Sequence, residues 1–351
     1  MVDALRGIAI TAVLFDHYTD YMLGLRVGDL AVSYFICLSA YFVTRSIAGE
    51  KSRTTDEPFR IARRFYIRRI SRVFPVYYTM LLFFLIVSLA GSEDFNLEWH
   101  LLFATNIAIA AMGTWEVPWQ LCHLWTLSLQ EQLYLVWPFV VLGVRRQDLA
   151  RIAVALIVVG WAFRVALFAA GLYATPGSAT WPPAMFDALG LGVLLALGYP
   201  RRGDRGLRAM LGCAMALPAG FAALSALRPD AAAAAYPLLW DCYRLFPVAA
   251  LAYWAFTVKT CSPAVERLIG PVVLLGRISL GMYLFHLPLW WVASKVGDRT
   301  GWWSLEAGLP TFAILSTATT VLALLSWRYL ERPVSHAIRS RSSRADANAS
   351  P

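Results

Sequence analysis

Residues His123 to Pro138 read HLWTLSLQEQLYLVWP, an apolar run long enough to cross a bilayer that still carries His123, Ser128, Gln130, Glu131 and Gln132. A charged side chain at mid-membrane costs about 2.5–3.5 kcal/mol on insertion scales, so such groups line a polar cavity or find partners. Glu131 is the carboxylate of the run, suited to orienting a histidine, accepting a proton or binding a hydroxyl. Its competing use is an ion pair with Arg164, Arg244 or Arg277. His123 and Trp125 divide between substrate contact and interfacial anchoring.

A second constellation opens the chain, in VDALRGIAITAVLFDHYTD. Arg6 and His17 are eleven residues apart, close to three helical turns, so they share one face at about 16 Å along the axis. A permanent cation near one end and a titratable base further in suit a long anionic ligand lying along the helix. The plainer alternative pairs His17 with Asp20 or Tyr21, one turn on. Asp16 projects about 100° from His17 and is a poor partner within the same helix. A third run, LGRISLGMYLFHLPLW, repeats the arginine-then-histidine order with Arg277, Ser279, Tyr283 and His286. Asp187 is a further buried acid, expected to serve packing. Arg60, Arg64, Arg68 and Arg72, at steps of four, form a basic stripe if helical, with Arg63 and Arg69 beside them. That stripe fits polyphosphate or anionic headgroups, or simply fixes orientation in the membrane. The sequence has no Walker A loop, GxSxG elbow, HExxH helix or cluster of metal-ligand spacing, so nucleotide hydrolysis, serine-hydrolase chemistry and a metal centre lose their usual supports.

These groups need helices to position them. The chain of 351 residues is 59% hydrophobic and only 15% charged, against about 45–50% and 25% in soluble domains. Apolar runs recur throughout, predicting an all-α polytopic transmembrane bundle with about ten spans. Their expected limits are 4–24, 29–48, 73–91, 122–144, 152–173, 184–199, 208–227, 236–257, 271–294 and 305–327. With both termini cytoplasmic, 23 of the 31 Lys and Arg residues fall on the cytoplasmic side, in accord with the positive-inside bias. Counting 97–113 as an eleventh span would invert the later loops and expose Arg145, Arg146, Arg201 and Arg202 outside. That segment is therefore expected to be re-entrant or interfacial, held by Trp99 and Trp115. The net charge of +9 reads as a topology signal rather than a nucleic-acid surface. Residues 1–336 are expected to form one membrane domain and 337–351 a disordered cytoplasmic tail. The N-terminus lacks a cleavage site of signal-peptide type, and Cys37, Cys122, Cys213, Cys242 and Cys261 suggest neither disulfides nor metal binding.

In order, these pieces resemble the type-3 membrane acyltransferase family, which acylates sugars and other hydroxylated acceptors. The resemblance runs from VDALRGIAITAVLFDH through FICLSAYFVT, FYIRRISRVFPVYY, HLWTLSLQEQLYLVWP, FDALGLGVLLA and LGRISLGMYLFHLPL to YLERPVSH. It departs at Gln130, where the family often has the first of two glutamates, at Ala40, at Leu280 and at Asp16. The resemblance implies transfer of an acetyl or other short acyl group from cytoplasmic acyl-CoA, a co-substrate rather than a resident cofactor. The acceptor would be a hydroxyl of a carbohydrate, glycolipid or glycosylated small molecule, in a bacterial plasma (inner) membrane. It implies catalytic roles for His17 and Glu131, and donor binding by Arg6, Arg68, Arg69 and Arg72. Asp16, Asp20, His123, Trp125, Ser128, Gln132, Tyr283 and His286 would contact substrate. Some relatives carry an extra extracytoplasmic hydrolase-like domain; this chain is expected to be the membrane unit alone. The alternative is a transporter or export component whose buried charges form a path.

Overall fold

The computed structural model describes residues 1–22, 26–54, 56–91, 93–115, 117–199, 229–257, 262–338 and 340. Every regular element among them is helical. In chain order the helices are α1 (Val2–Tyr18), α2 (Val27–Lys51), α3 (Pro58–Leu89), α4 (Leu97–Leu101), α5 (Thr105–Met112), α6 (Trp119–Cys122), α7 (Leu124–Gly143) and α8 (Arg146–Ala169). They continue with α9 (Gly177–Thr180), α10 (Phe186–Ala196), α11 (Pro229–Tyr243), α12 (Leu245–Thr257), α13 (Pro263–Arg277), α14 (Ser279–Thr300) and α15 (Leu309–Ser326), the last running into a π-helical turn at Trp327–Glu331.

Among the described residues, four helical stretches are long and apolar enough to cross a membrane: Val27–Lys51, Pro58–Leu89, Arg146–Ala169 and Leu309–Ile338. Ala264–Arg277 and Ser279–Thr300 pass that test together but bend by 64° at Ile278. Val154, Val158, Val159 and Val165 leave the outer side of α8 exposed and apolar, as a lipid-facing surface requires. The expected span 208–227 lies outside the described residues. Several expected limits move for local reasons. α1 ends at Tyr18 rather than 24 because Asp20 and Tyr21 adopt left-handed backbone, φ 49° and 55°. The expected loop 49–72 is largely the first half of α3, which runs unbroken for 32 residues through Pro75. The expected span 236–257 divides between Tyr243 and Leu245. Residues 97–113 form two short helices separated by Phe103, whose φ is 52°. At 1.5 Å per residue the longer covers about 12 Å, well short of a bilayer core.

The helices that carry the site are placed by close backbone contact. Where Gly7 of α1 meets α13, an added Cβ would collide with the Val272 carbonyl. Where Gly276 of α13 meets α1, it would collide with the carbonyl of Asp3. In an environment that offers little hydrophobic drive between helices, such small-residue contacts let dispersion and polar bonds hold them together. Asp16 ties α1 to α2 in another way, accepting the Gly28 N–H at 2.6 Å and so capping the N-terminus of α2.

Gly276→Ala is expected to destabilise the protein by about 1–3 kcal/mol through overpacking. Gly49→Ala, at a helix position with nothing within 4 Å, should gain about 0.5–1 kcal/mol of helix propensity. Unfolding titrations in mixed micelles check both, and equal responses would contradict this account of the α1–α13 contact.

Candidate active site

α1 delivers His17 to the side of α14. Its Nδ1 lies 2.8 Å from Nε2 of His286, and the two rings are nearly parallel, 4° apart. His286 Nδ1 lies 2.6 Å from the carbonyl oxygen of Tyr283, one turn back on α14. The next residue of α1 adds a second tie. Tyr18 donates its hydroxyl to the His286 carbonyl at 2.9 Å, and that hydroxyl also meets Oγ1 of Thr319 at 2.9 Å. The ring of His123 stands 4.7 Å from that of His286, at 71°. Both His123 nitrogens are buried and, among the described residues, meet no partner in hydrogen-bond geometry, an expensive arrangement for a closed core.

Tyr283 also borders a cavity of about 430 Å³. Its wall brings together Arg6 from α1, Arg68, Arg69 and Arg72 from α3, and Gln130 and Tyr134 from α7. The four arginines predicted as one binding group therefore do converge, although at least 62 residues separate Arg6 from the others. Arg6 donates to Ser279 Oγ at 3.0 Å, where the bend at Ile278 lets α14 begin against the cavity wall. Phe35, Phe42 and Phe65 supply an apolar side. Tyr283 borders the cavity, shares a 2.5 Å hydroxyl contact with Thr126, and donates to the His123 carbonyl. His17 is not part of the cavity wall.

Glu131 does not orient a histidine. Its Oε1 accepts from Arg69 Nε at 2.9 Å and Nη2 at 2.5 Å, while the same guanidinium lies 4.0 Å over the Tyr134 ring. None of the three arginines weighed for Glu131 pairs with it. Arg164 is fully buried on Asp187 at 2.7 Å, Arg244 faces Asp241 at 3.6 Å, and Arg277 faces Asp3 at 3.9 Å. Arg68 is shared with Glu50 at 3.1 Å. Arg72 borders the cavity and, among the described residues, forms no ion pair or hydrogen bond.

The other expected contact residues scatter. Asp16 serves α2, and Asp20 is exposed beyond the end of α1. Trp125 packs near Trp115 at 6.3 Å. Gln132 donates to the carbonyl of Phe103 and to Asn106 Oδ1, both at 2.8 Å, and so pins the α4–α5 break to α7. Ser128 is fully buried and, among the described residues, its hydroxyl has no partner. Tyr134, Thr126 and Glu50 were not legible as site residues. Tyr134 alone carried a signal, standing one turn beyond Glu131 on the same helix.

Residues 2–328 match the family described as acyltransferase domain. A peptidoglycan O-acetyltransferase of Listeria monocytogenes is 24% identical over 374 residues, which cover 95% of this chain and 55% of that protein. A putative peptidoglycan O-acetyltransferase of Bacillus subtilis is 26% identical over 364 residues, covering 95% and 54%. An O-acetyltransferase of Staphylococcus aureus is 23% identical over 362 residues, covering 95% and 56%. The chain thus spans about half the length of the curated relatives it matches. No solved structure matches it.

Removing one partner of a buried pair strands the other charge, whereas removing both does not. Glu131→Leu should therefore lower stability more than the double change Glu131→Leu with Arg69→Leu. A coupling energy of about 1–3 kcal/mol is expected from a double-mutant cycle followed by unfolding in micelles; additive effects would mean that the pair is not coupled.

Proposed function

The chain belongs to the acyltransferase domain family, and from that premise we propose that it is an integral-membrane O-acyltransferase moving an acetyl or other short acyl group from cytoplasmic acyl-CoA to a carbohydrate hydroxyl. Peptidoglycan, named for two of the relatives, is the first acceptor to consider. The observation that carries this reading is the gathering of Arg6, Arg68, Arg69 and Arg72 around one cavity, with His17 about three turns further along α1. In this reading the bundle of about ten spans sits in the plasma membrane with both termini cytoplasmic. The α4–α5 segment lies at the membrane interface or re-enters, and the basic cavity opens toward the cytoplasm.

The donor's phosphates meet the guanidinium groups, which are always charged and match phosphate oxygens two at a time. Arg72 has no competing ion pair among the described residues, Arg6 reaches them from its bonds to Ser279 and Asp3, and Glu131 with Tyr134 holds Arg69 at the wall. Glu131 is thus assigned to the donor side as a positioning residue. The pantetheine arm lies between the arginines and Phe35, Phe42 and Phe65, and its thioester passes to the histidines when the Tyr283 ring swings aside. His17 takes the proton of the acceptor hydroxyl as its oxygen attacks the thioester carbonyl. Collapse of the tetrahedral intermediate breaks the C–S bond, and the departing thiolate takes the proton back from His17. The unpaired nitrogens of His123 are placed to contact the acceptor or the thioester oxygen. Against a permeation path, two buried arginines away from the cavity are paired locally, Arg164 with Asp187 and Arg244 with Asp241.

The test is release of CoA thiol from acetyl-CoA by purified protein in nanodiscs, with peptidoglycan fragments as acceptor. His17→Ala is expected to lower kcat by about 10²–10⁴-fold, the usual worth of a general base. Arg72→Ala and Arg6→Ala are expected to raise KM for acetyl-CoA by about 10-fold or more, since a charge-assisted bond contributes about 1.5–3 kcal/mol, with smaller effects on kcat. Turnover that survives unchanged in His17→Ala would overturn the assignment.

A further inference from the structure

We propose that His286 is a positioning residue, which holds His17 in the one tautomer and orientation that leave His17 Nε2 free to accept a proton. The inference rests on the reading of His17 as general base. It moves His286 away from substrate contact.

The assignment follows from the direction of two hydrogen bonds. A carbonyl oxygen only accepts, so His286 Nδ1 must carry the proton that meets Tyr283 at 2.6 Å. A neutral His286 then has a lone pair at Nε2. His17 Nδ1, 2.8 Å away, must therefore be the donor. That leaves the lone pair of a neutral His17 on Nε2, the nitrogen directed away from His286. Neither nitrogen of His286 remains to bind substrate, and its side chain has no solvent exposure. Its ring is walled by His123 at 4.7 Å and Tyr18 at 6.2 Å. Its backbone is fixed by the Tyr18 hydroxyl, which comes from the residue after His17. α1 and α14 are thus tied at adjacent residues, which leaves the His17 ring little freedom to turn. When His17 accepts the acceptor's proton on Nε2, its Nδ1–H stays on His286, so the second histidine supports the imidazolium without relaying a proton. A carboxylate usually occupies that supporting place; here an imidazole does so, oriented by a helix carbonyl.

Two substitutions separate this role from others. Gln at 286 keeps an oxygen acceptor near the position of Nε2 but cannot relay a proton, and Leu removes the acceptor. His286→Leu is expected to lower kcat at least 30-fold with KM and Kd for acetyl-CoA within twofold of wild type. His286→Gln should recover at least tenfold of that loss. A second readout needs no turnover: carbethoxylation of His17 by diethyl pyrocarbonate, followed by peptide mass, should slow several-fold in His286→Leu and recover in His286→Gln. Wild-type kcat and wild-type carbethoxylation in His286→Leu would overturn the proposal. So would a His286→Gln variant as inactive as His286→Leu, which would make His286 a relay, or a loss confined to KM, which would make it a substrate contact. Activity retained in His17→Ala would instead defeat the underlying reading, and the carbethoxylation rates would still decide whether the bond exists.

Discussion

A charge in an apolar bundle must find a local partner or reach water, and the ion pairs that join the helices answer this constraint. Arg164 and Asp187 satisfy it almost wholly buried, and Arg69 and Glu131 beside the cavity that Arg69 borders. Breaking either pair would strand an ion, so both also fix the register of the helices they join. Arg72 satisfies the constraint in the other way, by facing the cavity. Arg72 borders the same cavity as Tyr283, and the His123 ring stands 5.2 Å from the Tyr283 ring.

α1 connects these two regions. Arg6 and Asp3 lie at one end, where Gly7 and Gly276 allow α1 and α13 to touch through their backbones. His17 and Tyr18 lie at the other, both bonded to His286. A helix held at both ends keeps a nearly constant distance between its arginine and its histidine. A flexible ligand arm of matching length can use such a spacer, and pre-organisation of this kind lowers the entropic cost of bringing reacting groups together. The bend at Ile278 is the corresponding device on the facing element. It turns Ser279 toward Arg6 and leaves Tyr283 and His286 on the side that meets α1 and α7.

Glu131 shows where a sequence reading stops. Its burial and its position within HLWTLSLQEQLYLVWP marked it as a group in use. Which arginine it would meet was not legible, because Arg69 lies 62 residues away on another helix and the alternatives were equally cationic. Likewise, His286 was read as a substrate contact from its place in LGRISLGMYLFHLPLW, whereas only the packing of α14 against α1 shows both of its nitrogens engaged. The charge balance of the loops carried the expectation that 97–113 does not span, as a re-entrant or interfacial helix, but not its division at the left-handed Phe103, which is held by Gln132 and the ring of Tyr77, stacked at 4.4 Å.

By itself the sequence determined the helical, lipid-compatible character of the chain, the family it belongs to, and the shared face of Arg6 and His17. Hydropathy, helical periodicity and motif order are all local or linear properties, so they survive without knowledge of the fold. Tertiary structure alone decided which buried group satisfies which. It placed Glu131 on Arg69, Asp16 on the N-terminus of α2, Gln132 on the α4–α5 break and His286 on His17. Those choices depend on how helices far apart in the chain cross one another, and a hydrogen bond is lost within about an ångström of misplacement.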